Sequence, residues 1–104
     1  METFRAQTCA TEHRVLGHIT LRYWASARAE AGVETDVVEV FGAVSLSGLR
    51  DHALGLHPLA DRLPAVLAVC SVLVDDEPVS SRDPGEVLVA PGSTVEFLPP
   101  FAGG

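Results

Sequence analysis

The chain ends in a short tail that follows directly on a segment with strand character. The tail consists of two prolines, an apolar pair and two glycines, namely Pro99, Pro100, Phe101, Ala102, Gly103 and Gly104. A proline ring fixes φ and pushes the residue before it toward extended geometry, whereas glycine has no Cβ. We therefore expect residues 99–104 to be stiff at the base and slender at the tip, and to enter a narrow site on another protein.

The first part of the chain has the pattern of two strands. Ile19, Leu21 and Tyr23 alternate with polar residues, as in a half-buried strand. An alanine-rich helical turn over residues 25–31 stops at Gly32, and residues 35–41 are rich in β-branched side chains. These features predict a hairpin-like pair of strands across a short connection.

The middle of the chain predicts one main helix and a shorter helical piece. Ser45 is a plausible N-cap for a helix that is expected to bury Leu46, Leu49, Ala53 and Leu56 on one face. Pro58 ends this helix, and Pro64 in the piece over residues 59–67 fits only a first turn or a break.

The last part of the chain predicts further strands. Residues 69–74 alternate, residues 86–89 form a short strand or an extended link, and residues 94–98 direct Val95 and Phe97 to one face. The predicted order is ββαβ(β)β. Residues 1–16 show neither the two-residue period of a strand nor the 3.6-residue period of a helix, and they are expected to be a flexible extension. Residues 17–98 are expected to form one domain, and residues 99–104 its tail.

Composition narrows the class of partner. The net charge is −7 and the isoelectric point is about 4.8, which argues against binding to nucleic acid or to an anionic membrane. No apolar run approaches the roughly 20 residues of a membrane span, and the N-terminus lacks the apolar stretch of a secretion signal. A cytoplasmic protein is expected. All seven basic residues are arginines, so the chain offers no lysine side chain for conjugation to itself.

Other candidate sites are weak. His52 and His57 are five residues apart, which does not suit helical metal ligation, and they are expected to be ordinary surface histidines. Cys70 should be a small buried hydrophobe and Cys9 an exposed, oxidisable thiol. The acidic run Asp75, Asp76 and Glu77 is expected to be a solvated turn. We expect no metal site and no enzyme active site.

Two segments resemble a known family. The run Tyr23, Trp24, Ala25, Ser26, Ala27 and Arg28, followed by Ala31 and Gly32, is similar to the opening of MoaD/ThiS-type sulfur carriers, and residues 91–104 are similar to their close. The resemblance covers residues 17–104 and implies an α+β, β-grasp (ubiquitin-like) fold, with a mixed sheet, one main helix and a protruding C-terminal tail. The family often has a glycine where this chain has Asp75 to Glu77, which leaves the type of that turn open.

The resemblance implies a carrier without an active site or a bound cofactor of its own. Gly104 would be adenylated by a MoeB-like enzyme that uses ATP and magnesium, and sulfur from a donor protein would convert it to a thiocarboxylate. In molybdopterin synthase that sulfur forms the dithiolene inside a MoaE-like large subunit. Docking would involve Leu98 and Phe101, while Phe97 belongs to the core and Arg22 and Arg28 are expected to be solvated.

The sequence leaves three alternative functions open. A sulfur carrier could serve thiamine or cysteine synthesis, although ThiS-like chains are usually shorter and lack the double proline. A ubiquitin-like modifier would join Gly104 to lysines of target proteins. A binding module with the same fold would keep its function after deletion of Gly103 and Gly104.

Overall fold

The computed structural model describes residues 16–100, which form a mixed sheet with helices packed on one face. No helix in this part of the chain is long and apolar enough to span a membrane. In chain order the elements are β1 Gly17–Tyr23, α1 Ala25–Ala31, β2 Thr35–Val40, β3 Val44–Ser45, α2 Leu46–Leu56, α3 Leu63–Ala68, β4 Ser71–Val74, β5 Glu77–Pro78, β6 Leu88–Val89 and β7 Thr94–Leu98.

The main sheet has five strands in the order β2-β1-β7-β4-β5. The first and last strands lie side by side and parallel, with Tyr23 opposite Phe97, whereas the other neighbours are antiparallel. β3 and β6 form a separate two-stranded pair that the sequence did not predict, because two residues are too few to show a period. The predicted mixed sheet with one main helix is confirmed.

The core follows from the alternation of the strands and the periodicity of α2. Side chains of β1 and β7 that are predicted to point inward are fully or almost fully buried, and Phe97 is 0% exposed. The main helix buries Leu46, Leu49 and Ala53 against them. The prediction for Leu56 is wrong: it is 43% exposed, because it is the last residue of α2 and lines a surface groove with Pro58 and Leu59.

Caps and prolines set the helix boundaries. Ser45 Oγ accepts a hydrogen bond from the Gly48 amide at 3.0 Å, which confirms the predicted N-cap. Pro64 lies in the first turn of α3, so this helix begins at Leu63 and not at residue 59. The helix continues to Ala68, and Val69, which was predicted to open the next strand, is an exposed residue after it.

The acidic turn between β4 and β5 is a two-residue hairpin loop. Asp75 and Asp76 have φ of 50° and 70°, in the left-handed region where glycine is favoured. The Asp75 amide donates to the Thr94 carbonyl at 2.9 Å, and Asp75 Oδ1 accepts from the Thr94 amide at 2.9 Å. The hydrogen bond from the Thr94 amide stabilises the charged carboxylate and so lowers the pKa of Asp75. The turn is thus exposed, as predicted, but it is also tied to the last strand.

The two aspartates of this turn make a matched pair for a stability measurement. Asp76→Gly relieves a left-handed backbone and is expected to raise the free energy of unfolding by about 1 kcal/mol, which denaturant titration would detect. Asp75→Gly relieves a similar backbone strain but removes the acceptor for the Thr94 amide, so it should be the less stable of the two variants. Equal stability of the two variants would contradict a contribution from the Asp75 side chain.

Candidate functional site

The base of the tail lies at the end of a central strand. Leu98 is half-buried on the outer face of the sheet, opposite Ser71, and Pro99 after it is buried. Pro100 is exposed. Pro99 was predicted to enter a partner together with the rest of the tail, but the structure buries it against its own protein. Of the two tail residues that the structure describes, only Pro100 is therefore accessible to a partner.

Several predicted residues lie outside the described part of the chain. They include the proposed sulfur-bearing Gly104, the tail residues Phe101, Ala102 and Gly103, and Cys9 in the N-terminal extension. Their roles stay predictions. Docking through Leu98 also stays a prediction, and its half-buried side chain leaves only part of its surface for a partner.

An aromatic and charged cluster covers the outer face beside Phe97. The Trp24 amide donates to the Phe97 carbonyl at 3.1 Å, and Trp24 Nε1 donates to Glu96 Oε1 at 3.1 Å. The Arg22 guanidinium lies 4.9 Å from the centre of the Trp24 ring, and its Nη1 is 3.9 Å from Glu96 Oε2. Arg22 was expected to be simply solvated, yet it stacks on an aromatic ring and faces a carboxylate. Trp24 remains 38% exposed at the point where the tail leaves the sheet.

A second polar network lies on the inner side of the same end of the sheet. Tyr23 Oη donates to Asp36 Oδ2 at 2.7 Å, and His57 Nε2 is 2.6 Å from the same oxygen. The Tyr23 ring stacks on Phe97 with centroids 5.9 Å apart and meets the His57 ring edge-on at 6.1 Å. The prediction that His57 is an ordinary surface histidine is therefore wrong, whereas His52 is exposed as expected.

The surroundings of Tyr23 change its acidity. Burial raises the pKa of Tyr23 far above its usual value, and the hydrogen bond to Asp36 and the charge of that carboxylate raise it further. Both effects disfavour a phenolate in the folded protein. The buried hydroxyl, held at 2.7 Å by Asp36, ties the end of β1 to β2 and, through His57, to the end of α2.

Cys70 does not have the environment of a nucleophile. It lies in the connection just before β4, half-buried, and its thiol donates to the Val66 carbonyl at 3.2 Å. Burial raises the pKa of the Cys70 thiol to about 11, so the thiolate is scarce at neutral pH. Within residues 16–100 no group of three histidine, cysteine, aspartate or glutamate side chains converges to hold a metal ion.

Comparison with known proteins identifies the family. Residues 21–104 match the ThiS family. The chain belongs to this family. Its members are ubiquitin-like sulfur carriers or modifiers, which act as small carrier subunits and not as catalysts. A search of curated proteins finds no match.

Solved structures confirm the β-grasp fold. SAMP1 from Haloferax volcanii is 26% identical with a TM-score of 0.68, covering 85% of this chain and 100% of that one. Subunit 1 in the complex of subunits 1 and 2 of molybdopterin-converting factor from Helicobacter pylori is 18% identical with a TM-score of 0.54, covering 84% and 99%. Urm1 from Trypanosoma brucei is 20% identical with a TM-score of 0.57, covering 86% and 97%.

The acidity of Tyr23 predicts how stability depends on pH. The folded pKa is above the unfolded value of 10.0, so the unfolded chain loses this proton first. The contribution of Tyr23 to stability is therefore complete below about pH 10 and declines as the pH rises above it. The chain has no lysine and one tyrosine, which leaves few other groups that titrate in this range. Denaturant titrations from about pH 8 to about pH 11 would measure the decline.

The control for this experiment removes the titrating hydroxyl. Both cysteines are replaced by serine in every sample, so that their thiols do not titrate. In that background Tyr23→Phe should be less stable near neutral pH, because Asp36 loses a donor, but its stability should vary less with alkaline pH. The same alkaline slope with and without the hydroxyl would contradict the assignment to Tyr23.

Proposed function

We propose that this protein is a sulfur carrier whose terminal Gly104 is adenylated and then converted to a thiocarboxylate. The observation that carries the proposal is that the match to the ThiS family runs to residue 104, over a diglycine that follows a buried anchor at Pro99. The protein would act in the cytoplasm and would supply no catalytic group. A partner enzyme would hold the ATP and magnesium.

The chemistry requires activation because a carboxylate is a poor electrophile. Attack of a Gly104 carboxylate oxygen on the α-phosphorus of ATP releases pyrophosphate and gives an acyl-adenylate. The terminal sulfur of a persulfide on a sulfur donor protein then attacks the carbonyl carbon, and AMP leaves. A thiol of the partner system cleaves the resulting sulfur–sulfur bond, which leaves the thiocarboxylate on Gly104 and a disulfide on the partner.

The contribution of this protein is to hold the reactive end at a fixed distance from a docked surface. β7 is hydrogen-bonded to β1 on one side and to β4 on the other, and the residue that follows its end, Pro99, is buried. The five residues 100–104 then span at most roughly 16–18 Å when fully extended. A partner must therefore accept the tail within that distance of the sheet, and positioning of this kind lowers the entropic part of the barrier.

The proposed partner is a MoaE-like large subunit of molybdopterin synthase, with a MoeB-like enzyme for activation. This proposal is supported by the Helicobacter pylori structure, in which a protein of this fold is in complex with subunit 2 of molybdopterin-converting factor. The sulfur would then form the dithiolene of molybdopterin. Docking would use the exposed Trp24 and the accessible part of Leu98, with Phe101 entering the partner.

The intact mass of the protein tests the carrier chemistry. We would coexpress the protein, with its C-terminus untagged, with a MoeB-like enzyme and a sulfur source. A thiocarboxylate replaces one oxygen by sulfur, whereas a cysteine persulfide adds a whole sulfur atom, so the two products differ in mass. We expect the replacement, localised to Gly104 by fragmentation and lost when Gly104 is deleted.

Two controls make a negative result informative. The variant with both cysteines replaced by serine should still show the replacement, because neither thiol takes part. The activating enzyme must also modify another carrier under the same conditions. If it does so and the mass of this protein is unchanged, the sulfur-carrier proposal fails for that enzyme.

The acceptor is tested separately from the carrier step. The purified thiocarboxylate is incubated with a MoaE-like subunit and the molybdopterin precursor, and dithiolene formation is measured together with loss of sulfur from Gly104. Transfer would support the molybdopterin assignment. No transfer, with a control carrier active in the same mixture, would exclude it and direct the search to thiamine or cysteine synthesis.

A protein modifier is the second candidate function. The observation that favours it is the 26% identity to SAMP1, a small archaeal modifier protein. Because the chain has no lysine, the modifier cannot form chains through its own lysine side chains. We therefore expect each modified lysine of a target to carry a single copy. Blots of an N-terminally tagged protein should show conjugates that disappear on deletion of Gly104, and their complete absence would exclude this function under the conditions tested.

A further inference from the structure

A cavity away from the tail lies between the start of α2, strand β4 and the loop after β5. Its volume is about 400 Å³, within the size range of sites for small organic molecules. Two arginines, Arg50 from α2 and Arg82 from the loop, line it together with the hydroxyl-bearing Ser71, Ser80 and Ser81. Its remaining lining includes the apolar Val72, Leu73 and Pro84, each of which is partly exposed.

The charge of this cavity is opposite to that of the protein. The chain has fourteen aspartates and glutamates and a net charge of −7, yet none of the twelve that lie in residues 16–100 lines the cavity. Arg22 and Arg28 each face a carboxylate within 4 Å. Arg50 and Arg82 form no such pair with any carboxylate of residues 16–100. Two arginines thus line one cavity, and neither forms an ion pair within the described part of the chain.

The loop holds one of these arginines in a defined position. Arg82 donates through Nε to the Val79 carbonyl at 3.2 Å and through Nη2 to the Pro78 carbonyl at 3.3 Å, which leaves the Nη1 hydrogens for another acceptor. Ser80, between these residues and Arg82, has φ of 58°, a left-handed conformation that costs energy in a residue other than glycine. The loop therefore keeps a strained backbone beside a positioned guanidinium.

We propose that this cavity binds an organic phosphate, with the phosphate between Arg50 and Arg82 and the organic part over the apolar lining. Guanidinium groups bind phosphate through paired hydrogen bonds, and the serine hydroxyls supply further donors. Two positive charges match a doubly charged phosphate monoester better than a singly charged carboxylate. The organic part contacts apolar lining residues that keep exposed surface, such as Val72, Leu73 and Pro84. This site is separate from Gly104 and does not depend on the sulfur-carrier proposal.

The test is a titration of the isotope-labelled full chain with phenyl phosphate, followed by amide chemical shifts. We expect saturable shifts at the cavity residues. Inorganic phosphate should bind more weakly because it has no apolar part, and benzoate more weakly because it has one charge. Arg50→Gln should weaken the binding of phenyl phosphate by at least about tenfold, the smallest loss expected for one charge-assisted hydrogen bond.

Matched variants separate the cavity from general electrostatics. Arg62→Gln removes the same charge from an exposed residue that does not line the cavity, and it should leave the affinity unchanged. Arg82→Lys keeps the charge but not the guanidinium, and it should also weaken binding. Absence of saturable shifts, an equal loss of affinity in Arg62→Gln, or equal affinity for phenyl phosphate and inorganic phosphate would overturn the proposal. Each of these results is independent of the mass of the C-terminus.

Discussion

The parallel pairing of the first and last strands is the constraint on which the rest of the structure depends. Residues Thr20 to Tyr23 of β1 lie opposite Thr94 to Phe97 of β7 at the centre of the sheet. The two partners are more than seventy residues apart in the sequence, so this pairing must overcome a large loop-closure entropy. The inner side chains of these strands pack with those of α2 at the centre of the core. β7, which carries the tail, is thus also the strand that pairs the end of the domain with its beginning.

This arrangement fixes the base of the tail from both faces of the sheet. On the outer face, Trp24 bonds to the Phe97 carbonyl and to the side chain of Glu96. On the inner face, the ring of Phe97 packs on Tyr23, whose hydroxyl is bonded to Asp36. Because Phe97 is already buried and held by these contacts, it loses little further conformational entropy when a partner binds. For the proposed carrier, which supplies no catalytic group, the fold would contribute a rigid base for the terminal Gly104.

The sequence predicted the elements better than it predicted their contacts. Alternation and helical spacing depend on neighbouring residues, so they identified both central strands, the α2 core and the Ser45 cap. The polar networks depend on which strands are neighbours and in which register: Trp24 and Glu96 are 72 positions apart, and His57 and Asp36 are 21 apart. No local pattern encodes such pairs. The burial of Pro99 likewise depends on tertiary packing, because the composition of the tail does not indicate at which residue the packed strand ends.

The composition of the chain would also limit side reactions of the activated C-terminus that we propose. An acyl-adenylate reacts with amines and thiolates, and this chain has no lysine side chain to compete with the intended nucleophile. Cys70, the described cysteine, adjoins Ser71, which lies opposite Leu98 near the base of the tail. Its pKa of about 11 keeps the thiol protonated and unreactive at neutral pH. Under the proposed function, the partner that receives Gly104 would therefore select a sulfur or an amine as the attacking group, since residues 16–100 contain no lysine and their one cysteine is protonated at neutral pH.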